Sequence, residues 1–184
     1  MEYIKELDKK IFFIINNDFA RDYMDLPMVI LSSRLTWTCC FAVALAIAIY
    51  LRRWRFVWVC GLLGLGFVVT DISVYYGLKP MFNRLRPCKE FPEMVRIVHG
   101  CAGTFGLPSN HAANGMVITA LIFLARLPLL GLIALVAVLL VGFSRVYLGV
   151  HYPSDIFLGY VAGASIALIV FTLTRPLHGL IRAN

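Results

Sequence analysis

Ser144 to Asp155 reads SRVYLGVHYPSD and places serine, arginine, histidine and aspartate between two long apolar blocks. Arg145 and His151 can converge if the intervening VYLGV bends back, and Gly149 eases such a turn. His151 and Asp155 are four residues apart. With a helix beginning near Pro153, the carboxylate reaches back to the imidazole, fixes its tautomer and stabilises its charged form. The opposite ring nitrogen is then free to attack an electrophile.

Partners for such a nucleophile lie upstream. Lys79 and Arg86 are separated by six residues, and Pro87 restrains the chain beside Arg86. Two fixed cations near a membrane surface suit a phosphate, and arginine adds a planar fork of donors. Taken alone, the pair fits a basic loop that binds lipid headgroups at least as well. Pro108 to His111 reads PSNH directly before an apolar run. Ser109 can cap a helix there while the free N–H groups point at an anion, and His111 in the first turn can reach the same anion.

A metal reading would recruit His111, His151 and Asp155. Three basic residues aimed at the same space would repel a divalent ion, so neither metal nor cofactor is expected. His99 and His178 match no pattern and are read as structural or surface groups.

The elements that must position these residues are membrane helices. The chain has 184 residues, 60% of them hydrophobic and 15% charged, with the charges gathered between long apolar blocks. The net charge of +7 does not form a solvated stripe, which excludes nucleic acid as a partner and favours anionic headgroups or a phosphorylated substrate. Expected spans are Leu26 to Leu51, Phe56 to Leu78, Asn110 to Ala125, Pro128 to Phe143, and Pro153 to Thr174. The second contains Asp71, an acid that must face other helices or water, and that lends some support to a transport reading. No cleavable signal peptide is apparent.

Near the N-terminus Ile4, Leu7, Ile11, Ile14 and Ile15 recur at helical spacing, away from Lys5, Asp8 and Lys9. They predict an amphipathic helix, lying at the membrane surface or packed on the protein itself. The expectation is therefore a single all-α membrane-embedded domain over residues 1–184, with five spanning helices and one N-terminal surface helix. Arg52, Arg175 and Arg182 suggest cytoplasmic ends, although Lys5, Lys9, Lys79, Arg84, Arg86, Lys89 and Arg96 weaken that orientation from the other side. With five spans, the long polar loop and the junctions before His111 and after Ser144 share one side.

K-x6-RP at Lys79 to Pro87, PSNH at Pro108 to His111, and SR-x5-H-x3-D at Ser144 to Asp155 resemble the three signature motifs of the type 2 phosphatidic acid phosphatase family. Soluble vanadium-dependent haloperoxidases share that site, but the apolar segments fit the membrane phosphatases. The resemblance implies roles. Lys79, Arg86 and Arg145 would clamp the phosphoryl oxygens, with a hydrogen bond from Ser109. His151 would form a phosphohistidine, His111 would protonate the leaving oxygen and then help activate water, and Asp155 would orient His151. Asn110 departs from the glycine that is commonest in the family motif, and its amide is read as a possible headgroup contact.

The resemblance also implies bacterial envelope substrates at the inner membrane, with the site facing the periplasm or exterior. The compact bacterial members bring forward undecaprenyl pyrophosphate, a polyprenyl diphosphate, or the 1-phosphate of lipid A. Phosphatidylglycerophosphate and phosphatidate are the alternatives, and a nonenzymatic lipid carrier is the alternative of another class. Cys88 and Cys101 flank the loop between Arg86 and Ser109, where an oxidising compartment permits a disulfide.

Overall fold

The computed structural model describes residues 2–181, with side chains through residue 176. The side chain of His178 and all of Arg182 lie outside the described residues. Helix α1 (Glu2–Phe13) continues through a π-helical turn at Ile14–Asp18. Then come α2 (Asp22–Ser32), α3 (Arg34–Tyr50) and α4 (Trp54–Ile72), the last running on through Ser73–Leu78 to Lys79–Phe82. After the polar loop follow α5 (Asn110–Leu124), α6 (Pro128–Tyr147) and α7 (Pro153–Ile181).

The expected five spanning helices are not found. Among the described residues, three helices are long and apolar enough to cross a membrane: Trp54–Phe82, Pro128–Tyr147 and Pro153–Pro176. The count rises to four if α2 and α3, bent by 50° at their junction, form one broken span. Two physical causes explain the overcount. The run read as Leu26 to Leu51 breaks at Ser33, whose extended backbone ends α2 and whose hydroxyl caps α3 by accepting from the Thr36 N–H. Helix α5 has only 15 residues, roughly 22 Å at 1.5 Å per residue, against about 30 Å of hydrocarbon.

Its apolar character serves internal packing instead. Ala112, Ala113, Val117 and Leu121 are fully buried, and α4, α6 and α7 surround them. Glycine permits the closest approach. A Cβ at Gly163 would sit 2.2 Å from the Ala113 carbonyl oxygen, so α7 can lie on α5 only with glycine there. One apolar cluster (Leu62, Leu63, Val117, Leu121, Ala167) fills the middle of this bundle. A second, with Phe12, Val146, Tyr147 and Tyr152, lies beneath the polar end.

Helix α1 and the turn after it face most of the predicted apolar row outward, while Ile15 packs on the core. Ile4, Leu7, Ile11 and Ile14 are exposed, while Asp8 and Phe12 are buried against the protein. That arrangement suits a membrane-surface helix whose polar face docks on its own chain. Cys39 and Cys40 are exposed on α3, and Cys60 is half-buried.

The polar loop is braced at several points. Leu85 pairs with Phe105 in an isolated antiparallel bridge, and Cys88 is bonded to Cys101 with their Cα atoms 6.2 Å apart. Arg96 makes a two-pronged contact with Asp25 of α2 at 2.8 and 2.7 Å. Asn16, fully buried, donates to the carbonyls of Arg96 and Tyr147. These bonds tie the loop to α1, α2 and the end of α6.

Candidate active site

The turn after α6 forms as its sequence suggests. Gly149 has φ +80°, a conformation that glycine adopts without strain, and a Cβ there would meet Val95 at 2.6 Å. The chain reverses, His151 comes back over the end of α6, and α7 starts at Pro153. His151 Nδ1 lies 3.3 Å from Asp155 Oδ2, and the Tyr152 N–H donates to the same oxygen at 3.0 Å. Asp155 Oδ1 accepts from Arg84 Nη1 at 3.1 Å. The carboxylate is fully buried, so these donors replace the water it has lost.

On the other edge of the imidazole, Nε2 lies 3.3 Å from Arg86 Nη1. With Nδ1–H directed at Asp155, Nε2 carries the lone pair and accepts from the guanidinium. Burial holds the His151 imidazole well below its ordinary pKa, and Arg86, Arg145, Lys79 and His111 push in the same direction. The ring is therefore neutral at pH 7 and faces a concentrated positive field.

Each cation reaches this field from a different element. Lys79 follows the π-helical turn of α4, is buried, and donates to the Phe105 and Gly106 carbonyls, each at 3.1 Å. Arg86 leaves the extended segment beside the Leu85–Phe105 bridge and also meets the Val150 carbonyl at 3.4 Å. Arg145 comes from the last turn of α6 and donates to the Ser32 hydroxyl. The Nε groups of Arg86 and Arg145 are buried and have no partner among the described residues. Orphaned guanidinium donors around one point are suited to an oxyanion.

Ser109 caps α5 by accepting from the Ala112 N–H, and its own N–H donates to the Asp155 carbonyl at 3.0 Å. That bond joins the starts of α5 and α7, so His111 in the first turn of α5 shares the field of Arg145 and Arg86. Lys79, Arg86, Ser109, His111, Arg145, His151 and Asp155 thus gather at one end of the bundle. Asn110 faces elsewhere. Its Nδ2 donates to Asp71 Oδ1 at 3.0 Å, and Asn114 Nδ2 donates to the same oxygen at 2.9 Å. The acid within α4 is thereby accounted for by helix–helix hydrogen bonding.

Several residues at the site were not assigned to it from sequence. Arg84 bridges Asp155 to Asp8, Ser32 holds Arg145, and Arg34 adds charge near Arg86 and Arg145. Arg84 did leave a signal. In R-L-R the two arginines lie two apart in extended chain, so they share one side of the strand. His99 is exposed on the loop. Among the described residues no three His, Cys, Asp or Glu side chains gather to hold a metal ion.

This all-α bundle, with cations and a histidine–carboxylate pair at one end, has clear relatives. The chain belongs to the PAP2 superfamily, whose family model matches residues 37–178. It is 29% identical over 170 residues to the lipid A 4'-phosphatase of Bacteroides thetaiotaomicron, covering 89% of this chain and 75% of that one. To phosphatidylglycerophosphatase B of Bacillus subtilis it is 35% identical over 125 residues, 62% of this chain and 56% of the other. The crystal structure of Aquifex aeolicus LpxE shares the fold with a TM-score of 0.71 at 21% identity, over 90% of this chain and 95% of that one. The chain is a bacterial multi-pass membrane protein and a lipid phosphohydrolase of this superfamily.

Proposed function

We propose that the protein removes the phosphate from a lipid phosphomonoester through a phosphohistidine on His151. The observation that carries this reading is the orientation of that imidazole: Nδ1 against Asp155, Nε2 towards the cations. In the proposed reaction Nε2 attacks phosphorus as the bond to the lipid oxygen breaks. Lys79, Arg86 and Arg145 neutralise the phosphoryl oxygens with help from Ser109, and His111 supplies the proton to the departing lipid alkoxide. Asp155 stabilises the positive charge that His151 acquires. His111 then takes a proton from water, which cleaves the N–P bond and releases phosphate. No step calls for a metal ion or cofactor.

For the substrate, the relatives favour phosphatidylglycerophosphate, with a lipid A phosphate as the second reading. Undecaprenyl pyrophosphate, which the sequence brought forward together with lipid A 1-phosphate, is named by none of these relatives. Asn110 Nδ2, engaged by Asp71, holds α5 on α4, while its Oδ1, without a partner among the described residues, stays the proposed headgroup contact. The proposed orientation puts the site at the outer face of the inner membrane. The Cys88–Cys101 bond supports it, since disulfides persist in oxidising compartments. So does the cationic opposite end, where Arg55 in the first turn of α4 donates to the Ala125 carbonyl beside Arg126.

The test is initial-rate hydrolysis by purified protein in one detergent across phosphatidylglycerophosphate, phosphatidate, lipid A phosphate and undecaprenyl pyrophosphate. Phosphatidylglycerophosphate or lipid A phosphate should be turned over fastest, in the presence of EDTA, and vanadate should inhibit as a mimic of the transferring group. Rapid quench with labelled phosphate should place label on His151. Label on serine or aspartate would overturn the mechanism, and turnover of undecaprenyl pyrophosphate alone would overturn the substrate.

A further inference from the structure

We propose that Asp8 and Arg84 are positioning residues for the His151–Asp155 pair, which makes the N-terminal helix α1 a working part of the active site. The inference rests on the phosphohistidine reading and extends it to residues outside the three motifs.

The geometry is continuous. Arg84 Nη1 donates to Asp155 Oδ1 at 3.1 Å, and Nη2 donates to Asp8 Oδ2 at 2.6 Å. Asp8 Oδ1 in turn accepts from the Ser154 N–H at 2.9 Å, and Oδ2 accepts from the Ser154 hydroxyl. The Ser154 N–H belongs to the first turn of α7, where backbone donors lack partners inside the helix. Asp8 therefore caps, from another helix, the turn that carries Asp155. It is 7% exposed, so its charge depends on these partners rather than on water.

Arg84 stands between two buried carboxylates. Removing it would leave the Asp8 and Asp155 carboxylates without the guanidinium that bridges them, and their repulsion would displace Asp155 from the imidazole. A displaced Asp155 gives less support to the charge that His151 acquires in the proposed reaction. Its Oδ1 would also lose the donor that fixes the carboxyl plane, while Oδ2 must still serve His151 and Tyr152. Arg84 is not a fourth clamp residue, because its hydrogen bonds run to Asp8, Ser154 and Asp155.

Other contacts hold α1 in the same place. The Arg84 guanidinium lies 4.1 Å above the Tyr152 ring, and Phe12 of α1 meets that ring edge-on at 5.3 Å. Tyr152 donates to Glu90 at 2.7 Å, and Lys9 of α1 pairs with Glu90 at 2.9 Å. Asp8, Lys9 and Phe12, on one turn of α1, all reach the shell around His151. The opposite row of α1 is apolar and exposed.

The experiment is a double-mutant cycle on the full chain in detergent, with phosphatidylglycerophosphate and lipid A phosphate as probes. Arg84→Gln should lower kcat by roughly 10- to 100-fold, the range that outer hydrogen-bond partners carry at metal sites, with KM within about twofold because the clamp is untouched. Asp8→Asn should act in the same direction and more weakly. Arg84→Gln combined with Asp155→Asn should be no slower than Asp155→Asn alone, since Arg84 acts through that carboxylate. A merely structural role would instead multiply the two losses, and that result overturns the proposal. A raised KM at unchanged kcat overturns it too, by making Arg84 a substrate ligand. If Arg84→Gln does not fold, Arg84→Lys, which keeps the charge but cannot fork between two carboxylates, takes its place in the cycle. Wild-type turnover in Asp155→Asn would remove that carboxylate from the mechanism and overturn the inference, whereas a rapid quench of the wild type with no label on His151 would defeat the phosphohistidine reading itself.

Discussion

Asp155 Oδ2 serves two donors at once: His151 Nδ1 at 3.3 Å and the Tyr152 N–H at 3.0 Å. The second bond fixes the oxygen to the backbone, so the first fixes the imidazole to the backbone as well. Asp155→Asn keeps the shape but offers an amide that can present N–H to Nδ1 and draw the wrong tautomer. We expect kcat to fall by about 10²- to 10⁴-fold, with the protein still folded. Steady-state rates alongside thermal unfolding would check this, and near-wild-type kcat would remove Asp155 from the mechanism.

A pH prediction follows from the direction of the His151 shift. Its pKa in the fold lies well below the ordinary value of 6.5, first because the ring is buried and then because Arg86, Arg145 and Lys79 surround it. Between 6.5 and that lower value, the unfolded chain binds a proton that the folded chain refuses. Stability from this group is intact above pH 6.5 and declines as the pH falls. The His151 ring itself, the proposed nucleophile, stays neutral over the same interval. Ring ¹⁵N signals of His151, assigned against His151→Gln, should remain those of neutral imidazole at pH 6. A protonated signal at pH 7 would contradict the assignment.

Gly106 tests how tightly the carboxylate is held. A Cβ there would lie 2.7 Å from Asp155 Oδ2 and 3.5 Å from the Arg86 side chain. The oxygen cannot retreat without releasing His151 or Tyr152. Gly106→Ala should therefore cut kcat by at least about tenfold, within the cost of a small misplacement at a reacting centre. Full activity in this variant would mean that the pair tolerates displacement.

The Cys88–Cys101 bond closes a segment of 13 residues between Arg86 and Ser109. Loops of this size lose roughly 3 kcal/mol of unfolded-state freedom on closure. The Cys88→Ala, Cys101→Ala double variant should unfold at a lower temperature, and non-reducing mass spectrometry of the wild type should yield the crosslinked peptide. Free thiols at both positions in protein from intact membranes would reject the bond.

The grouping of the motif residues was legible because each motif is contiguous. The four-residue step from His151 to Asp155, the turn at Gly149 and the cap at Ser109 are local relationships that spacing encodes. Hydropathy was less informative about spans. It could not tell that the apolar side chains of α5 meet other helices rather than lipid, or that Ser33 would bend the run around it by 50°. Asp8 and Ser32 were illegible for another reason. Their partners Ser154 and Arg145 lie 146 and 113 residues away, and no short pattern marks either pairing.

Lys79 has one hydrogen to give. An ammonium carries three N–H donors, and two already go to the Phe105 and Gly106 carbonyls at 3.1 Å. The same side chain thus offers charge and a single hydrogen bond to an incoming oxyanion while it anchors the strand that presses Gly106 against Asp155. Truncating it frees that segment, so Lys79→Ala removes a proposed phosphate ligand and loosens the support of His151 in one stroke. Arginine is no substitute. A planar fork cannot direct its donors to two adjacent carbonyls and a third, tetrahedrally placed acceptor, as the tripod of an ammonium does.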